Sequence, residues 1–126
     1  MLGGIYGKIL HVDLTTGAVR VEAPPEAVYR LLVGGRALVA YLLLRDLAPG
    51  TDPFSPDNLL IFAPGILQGT NLPGAGRHGV GGKSPLTGAL GSSEAEGELI
   101  FGFCIPNIAS ICTQVGCEVL CCTGII

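Results

Sequence analysis

Apolar side chains alternate from Lys8 to Leu14, with Leu10, Val12 and Leu14 on one face, and alternate again at Val19 and Val21. Thr15-Thr16-Gly17 between them is a turn signal, so this stretch predicts a β-hairpin. Pro24-Pro25-Glu26 then opens a short helix, because proline suits the first turn and an acid suits the positive end. Val28, Leu31 and Leu32 give that helix an apolar face. Gly34-Gly35-Arg36 can be read as an anion nest at a helix start; the simpler reading is a tight turn between two helices. Ala37 to Leu47 predicts the second helix, apolar almost all round and therefore buried. Pro49-Gly50 ends it. The loop from Asp52 to Asn58 carries two prolines and reads as rigid. Leu59 to Ala63 is a continuous apolar run of strand length, which predicts a buried strand.

From Pro64 to about Gly97 the pattern gives way to glycine, predicting loop with short strand. Residues 74–91, GAGRHGVGGKSPLTGALG, raise the question of a phosphate cradle. Gly82-Lys83-Ser84 ends like a nucleotide P-loop, but Arg77 stands where that motif needs glycine. Gly88 and Gly91 would also weaken the helix that must follow. Gly74, Gly76 and Gly79 satisfy the spacing of a dinucleotide fingerprint, yet neither flank supplies the strand and helix it requires. The segment still suits an anion. Glycine lets backbone N–H groups come close, and can adopt positive φ. Arg77 offers a planar fork of donors, and Lys83 a point charge. His78 alone is a poor metal site, since stable sites use three or four ligands, and it is expected on the loop surface. Ser84-Pro85 fixes the chain direction after the loop.

Beyond Leu99 the character changes again. All five cysteines lie there, at positions 104, 112, 117, 121 and 122, with one charged residue, Glu118. The apolar positions follow neither period, and Pro106-Asn107 breaks the run. The expected organisation is therefore a domain over residues 1–98 and a Cys-rich apolar tail over 99–126. The tail reads either as out-of-frame peptide or as a divergent terminus that buries itself in a partner.

Composition narrows the class. The chain has 126 residues, which suits one domain. It is 48% hydrophobic and 13% charged, the opposite of a disordered chain. A net charge of -3 argues against non-specific nucleic-acid binding. The start is not patterned as a signal peptide. The apolar run Leu31 to Leu44 is broken by Gly34, Gly35 and Arg36, so no membrane span is expected. An odd cysteine count without a secretion signal favours reduced thiols and a cytoplasmic protein. No residue stands out as a catalytic acid or base.

A set of ordered blocks adds a resemblance. Tyr6-Gly7-Lys8-Ile9-Leu10, Val12-Asp13-Leu14-Thr15-Thr16-Gly17 and Gly34-Gly35-Arg36 are followed by Ala40-Tyr41-Leu42-Leu43-Leu44 and Asp52-Pro53. Ser55-Pro56-Asp57-Asn58, Ala63-Pro64-Gly65, Gly69-Thr70, Gly76-Arg77 and Lys83-Ser84-Pro85-Leu86-Thr87-Gly88 complete the series. From Tyr6 to about Gly97 the chain resembles the N-terminal domain of the tungsten-containing aldehyde ferredoxin oxidoreductases.

The resemblance implies an α+β fold, mostly β-sheet with two short helices, and incomplete relative to the family domain. It implies a base for a tungsten (or molybdenum) bis-pterin cofactor. The implied reaction is aldehyde to carboxylic acid, with electrons leaving through a [4Fe-4S] cluster to ferredoxin. The cluster's ligand run, C-x-x-C-x-x-x-C, is absent here, and the chain alone is expected to be inactive. Implied cofactor contacts are Gly76, Arg77, Lys83, Ser84 and Glu94. Arg77 matches an arginine between pterin and cluster, and Glu94 falls near an asparagine that helps bind the ion bridging the pterin phosphates. Missing downstream domains or a second copy are the expected partners. The alternatives are a stand-alone pterin-binding or assembly module that pairs with a separate subunit, and a small thiol-metal protein using the tail.

Overall fold

The structure is a computed structural model, and it describes residues 7–67, 72–74, 76–96 and 119–123. The elements among the described residues are β1 (Ile9–Asp13), β2 (Val19–Glu22), α1 (Glu26–Leu32), α2 (Gly35–Asp46), β3 (Leu60–Pro64), β4 (Arg77–Lys83), β5 (Leu90–Glu96) and β6 (Val119–Thr123). The strands form one six-stranded sheet in the order β2-β1-β6-β3-β4-β5. β1 and β6 run parallel, and every other neighbouring pair is antiparallel. This is the expected α+β fold dominated by strand.

The predicted hairpin is β1–β2. Its turn is locked by Asp13, whose Oδ1 accepts from the N–H groups of Thr15 at 2.9 Å and Thr16 at 3.3 Å. The Thr16 hydroxyl donates to Asp13 Oδ2 at 2.6 Å. Gly17 takes φ 74°, the left-handed region that favours glycine. The hydroxyl of Thr16 and the N–H of Thr15 hold the Asp13 carboxyl below its ordinary pKa.

The core lies between the sheet and α2. Leu38, Val39, Leu42 and Leu43 pack on Ile9, Leu59, Ile61 and Ala63, and Tyr29 of α1 joins them. Two expectations need correction here. α2 is not buried all round: Tyr41 and Leu44 point outward, because only one face of the helix meets the sheet. In α1 the buried side chain is Tyr29, while Leu31 is 81% exposed. With seven residues α1 has room for one inward stripe, and Tyr29, flanked by Val28 and Leu32, fills it.

Strand takes more of the glycine-rich stretch than the expected short strand between loops. Residues 77–83 form β4, residues 90–96 form β5, and the two pair in continuous register from Arg77↔Glu96 to Lys83↔Leu90. A Cβ on Gly79 would stand 2.9 Å from the Arg36 nitrogen, and one on Gly81 would overlap Val39 Cγ1. These glycines are therefore absences of side chain that let α2 press onto the sheet. Neither adopts positive φ.

β6 fills the gap between β1 and β3, with Ile9↔Val119 through Asp13↔Thr123 on one side and Leu60↔Cys122 through Phe62↔Leu120 on the other. A segment of the expected tail thus completes the centre of the sheet. The expected boundary near residue 98, and Cys104, Cys112 and Cys117, lie outside the described residues. Among the described residues no helix is long and apolar enough to cross a membrane.

Candidate anion and cofactor site

The start of α2 is pinned by backbone contacts. Gly34 has φ 73° and bridges to Gly65, and a Cβ there would stand 2.6 Å from the Pro64 carbonyl oxygen. The Gly65 N–H in turn donates to the Arg77 carbonyl at 3.0 Å. The first turn of α2 and the first residue of β4 are therefore held side by side.

That junction is electropositive. The first N–H groups of a helix lack intrahelical partners. α2 has no side-chain cap and no acid in its first turn. Arg36 sits there instead, at the positive pole of the helix dipole, where a cation is ordinarily disfavoured. Its Nε donates to Ser92 Oγ at 3.0 Å, leaving the side chain exposed against β5.

Strand alternation puts Arg77, Gly79, Gly81 and Lys83 on the face toward α2. Arg77 is exposed, and Gly79 lies directly beneath the Arg36 backbone. Arg77 is two residues from Gly79, about 7 Å along the strand. Glu94 pairs with Gly79 across the ladder, on the same face, and is also exposed. Gly76, Arg77 and Glu94 thus come together, joined by Arg36 and Ser92.

Lys83 and Ser84 do not join them. They lie at the other end of β4, about 20 Å from Arg77 at strand rise. The Lys83 ammonium donates to the Thr51 carbonyl. Its backbone is clasped by Asn58, whose Nδ2 donates to the Lys83 carbonyl at 3.1 Å. Ser84 builds the β4–β5 turn, donating to Ala89 at 2.8 Å and accepting from Gly88 at 2.8 Å. A loop could fold back and bring these residues to Arg77; a strand holds its ends apart.

His78 is another correction. It is 4% exposed, not on a loop surface, because alternation turns it to the opposite face of β4 from Arg77. Among the described residues neither ring nitrogen has a hydrogen-bond partner. Burial pushes its pKa below the ordinary histidine value.

A separate open depression of about 560 Å³ is lined by Asp13, Thr15, Thr16, Asp46, Thr51 and Asp57, among others. Asp13 is committed to its turn and Asp46 to Arg45. Among the described residues no cluster of His, Cys, Asp or Glu is placed to hold a metal ion.

Arg36 lies at this junction, in the first turn of α2, where the sequence pattern predicts a turn between two helices. Its signal was present: two glycines and an arginine immediately before a helical period, the nest alternative set aside above. The choice depended on which strand lay beneath the helix start.

Comparison with known proteins agrees with this architecture. The family described as aldehyde ferredoxin oxidoreductase, N-terminal domain, matches residues 9–104. The tungsten-containing aldehyde ferredoxin oxidoreductase of Pyrococcus furiosus is 43% identical over 94 residues, 75% of this chain and 16% of its own length. Its Pyrococcus abyssi counterpart is 45% identical over 94 residues. A solved structure, the active site complex BamBC of benzoyl coenzyme A reductase with 1,5-dienoyl-CoA, aligns with TM-score 0.81 and 32% identity. That alignment covers 98% of this chain and 18% of the other. The chain therefore spans about a sixth of the length of the curated relatives it matches, and it belongs to the aldehyde ferredoxin oxidoreductase N-terminal domain family.

Proposed function

We propose that this chain is a cofactor-base domain for a tungsten (or molybdenum) bis-pterin, binding the anionic part of that group at the junction of α2 and β4. The observation that carries the reading is the placement of Arg77 and Arg36 around an uncapped helix start. Two guanidinium groups and free N–H donors fit phosphate oxygens by charge and by geometry. Gly76, partly exposed, carries no side chain to bar close approach. Arg77 would supply the fork of donors, and Arg36 the charge at the dipole's positive pole. Glu94 would serve a hard cation between phosphates, since a carboxylate suits Mg²⁺.

When bound, the metal–pterin unit supplies the redox chemistry; this chain contributes orientation and charge. Oxidation of aldehyde to carboxylic acid, with electrons passing through a [4Fe-4S] cluster to ferredoxin, is the activity proposed for the longer protein. The relatives' names span an aldehyde oxidoreductase and a benzoyl coenzyme A reductase complex. Substrate choice is accordingly assigned to parts outside this domain.

The test is pyrophosphate titration followed by amide NMR. Shifts at Gly79 and Ser92, weakened about ten-fold in Arg77→Ala, are expected. Unchanged affinity in that variant would remove Arg77 from the site. The purified chain assayed anaerobically with aldehydes and a viologen dye should show no turnover, and any turnover sinks the claim of inactivity.

A second reading is a stand-alone pterin-binding or assembly module pairing with a separate subunit. Its sign would be stable co-purification with a larger protein or with tungsten.

A further inference from the structure

Three consecutive residues between the body of α1 and that of α2 take left-handed backbone: Val33 at φ 57°, Gly34 at 73° and Gly35 at 57°. Glycine suits that region because it has no Cβ. Valine does not, since its branched Cβ crowds the neighbouring backbone. Among the described residues Val33 is the only one other than glycine with positive φ. A helix that closes in this way ordinarily places glycine or asparagine there. Burial does not explain the valine, because the residue is 53% exposed.

The fold dictates this conformation from both sides. Before it, Tyr29 is buried in the core, and its carbonyl accepts from the Val33 N–H at 2.9 Å. After it, Gly34 is buried against Gly65, with no room for a Cβ beside the Pro64 carbonyl oxygen. A chain fixed at both points must turn at position 33, whatever residue stands there. Strain of this kind persists where the surroundings over-determine it, and it gathers at functional sites. Val33 is also the one residue of the three with a side chain. Glycine there would make the linker Gly-Gly-Gly, a sequence of high backbone freedom. We propose that Val33 is a positioning residue for the start of α2. Its branched side chain gives up folding stability and confines the linker to one conformation, so that the uncapped N–H groups of α2 meet an anion already aligned. On the anion-site reading, on which this rests, Val33 is what keeps that site pre-formed. A site ordered in advance loses less freedom on binding. Val33 acts through the backbone it fixes, not by contact with the anion.

The experiment compares Val33→Gly and Val33→Asn with the unaltered chain by thermal melting, amide NMR relaxation and pyrophosphate titration. Val33→Gly relieves the crowding, so its melting temperature should rise by about 3–5 °C. Its order parameters at Gly34, Gly35 and Ala37 should fall below the rigid value of about 0.85, while those of β3 stay unchanged. Its affinity for pyrophosphate should weaken about five-fold. Val33→Asn keeps a Cβ yet accepts left-handed backbone. It should melt higher, stay rigid and bind within about two-fold of the unaltered chain. A lower melting temperature or an unchanged order parameter in Val33→Gly overturns the proposal. So does pyrophosphate binding in Val33→Gly as tight as in the unaltered chain, or binding in Val33→Asn as weak as in Val33→Gly. An unaltered chain that does not bind pyrophosphate refutes the anion-site reading and, with it, the positioning role; melting and relaxation then still decide whether Val33 stiffens the linker.

Discussion

Two neighbours in β4 show how one residue step decides a role. Arg77 and His78 are adjacent, yet alternation sends them to opposite faces. One is exposed beside the α2 start, and the other is buried, with no partner for either nitrogen among the described residues. A buried imidazole is held neutral, so the folded chain binds fewer protons than the unfolded one below the ordinary histidine pKa. Stability conferred by neutral His78 is full above that value and is lost as pH falls toward the depressed folded pKa. Chemical denaturation from about pH 7 to about pH 5 should show this decline, and His78→Leu should flatten it. An equally steep decline in that variant would assign the effect to another group. Gly81 is the second residue-scale test. A methyl group there overlaps Val39, so Gly81→Ala should cost roughly 1–3 kcal/mol in thermal melting. Gly88→Ala supplies the contrast, since nothing stands near its added Cβ and only positive φ resists it.

At the scale of elements, the hairpin and α2 are joined by a charge network. Glu22 of β2 accepts from Arg45 Nη1 at 2.7 Å and Nη2 at 2.8 Å, and pairs with His11 Nε2 at 2.7 Å. Arg45 also lies over the Tyr41 ring, 5.8 Å from its centroid. Bonding to Arg45, with a smaller part from His11, holds the Glu22 carboxyl below its ordinary pKa. The stability it adds is present above the unfolded glutamate pKa and is lost as pH falls through the lower folded value. Arg45→Ala should therefore cost about 1 kcal/mol near neutral pH, and less as Glu22 becomes protonated. A double-mutant cycle with Glu22→Gln reads this coupling. A cost independent of pH would assign it to lost packing on Tyr41 instead.

For the whole molecule the decisive feature is the central strand β6. It joins the pair β2-β1 to the trio β3-β4-β5. Without it, β1 and β3 would face water with unpaired backbone groups. A chain ending at residue 118 should lose its cooperative melt and aggregate. Retention of a sharp transition at the same temperature would show that the two halves hold together through α2 alone. The same measurement bears on the tail. A terminus required for folding is a native part of the domain, which is the proposal that follows from β6; a dispensable one fits an out-of-frame peptide.

The sequence by itself determined the local elements. Alternation and Thr15-Thr16-Gly17 specified the β1–β2 hairpin, Pro25-Glu26 the start of α1, and the apolar run the buried β3. These depend on neighbours a few residues apart, which a linear reading contains. The ordered family blocks also carried the membership. Tertiary structure alone decided what the glycines meant, because a missing side chain has no periodicity and declares itself only by what comes close to it. Gly79 and Gly81 became a seat for α2, and not a phosphate loop, once the helix lay on them. The same packing brought Arg36 to Ser92 across 56 positions and separated Arg77 from Lys83 along one strand. Distances of that kind are set by the register of non-adjacent strands, which no local pattern of apolar and polar residues encodes.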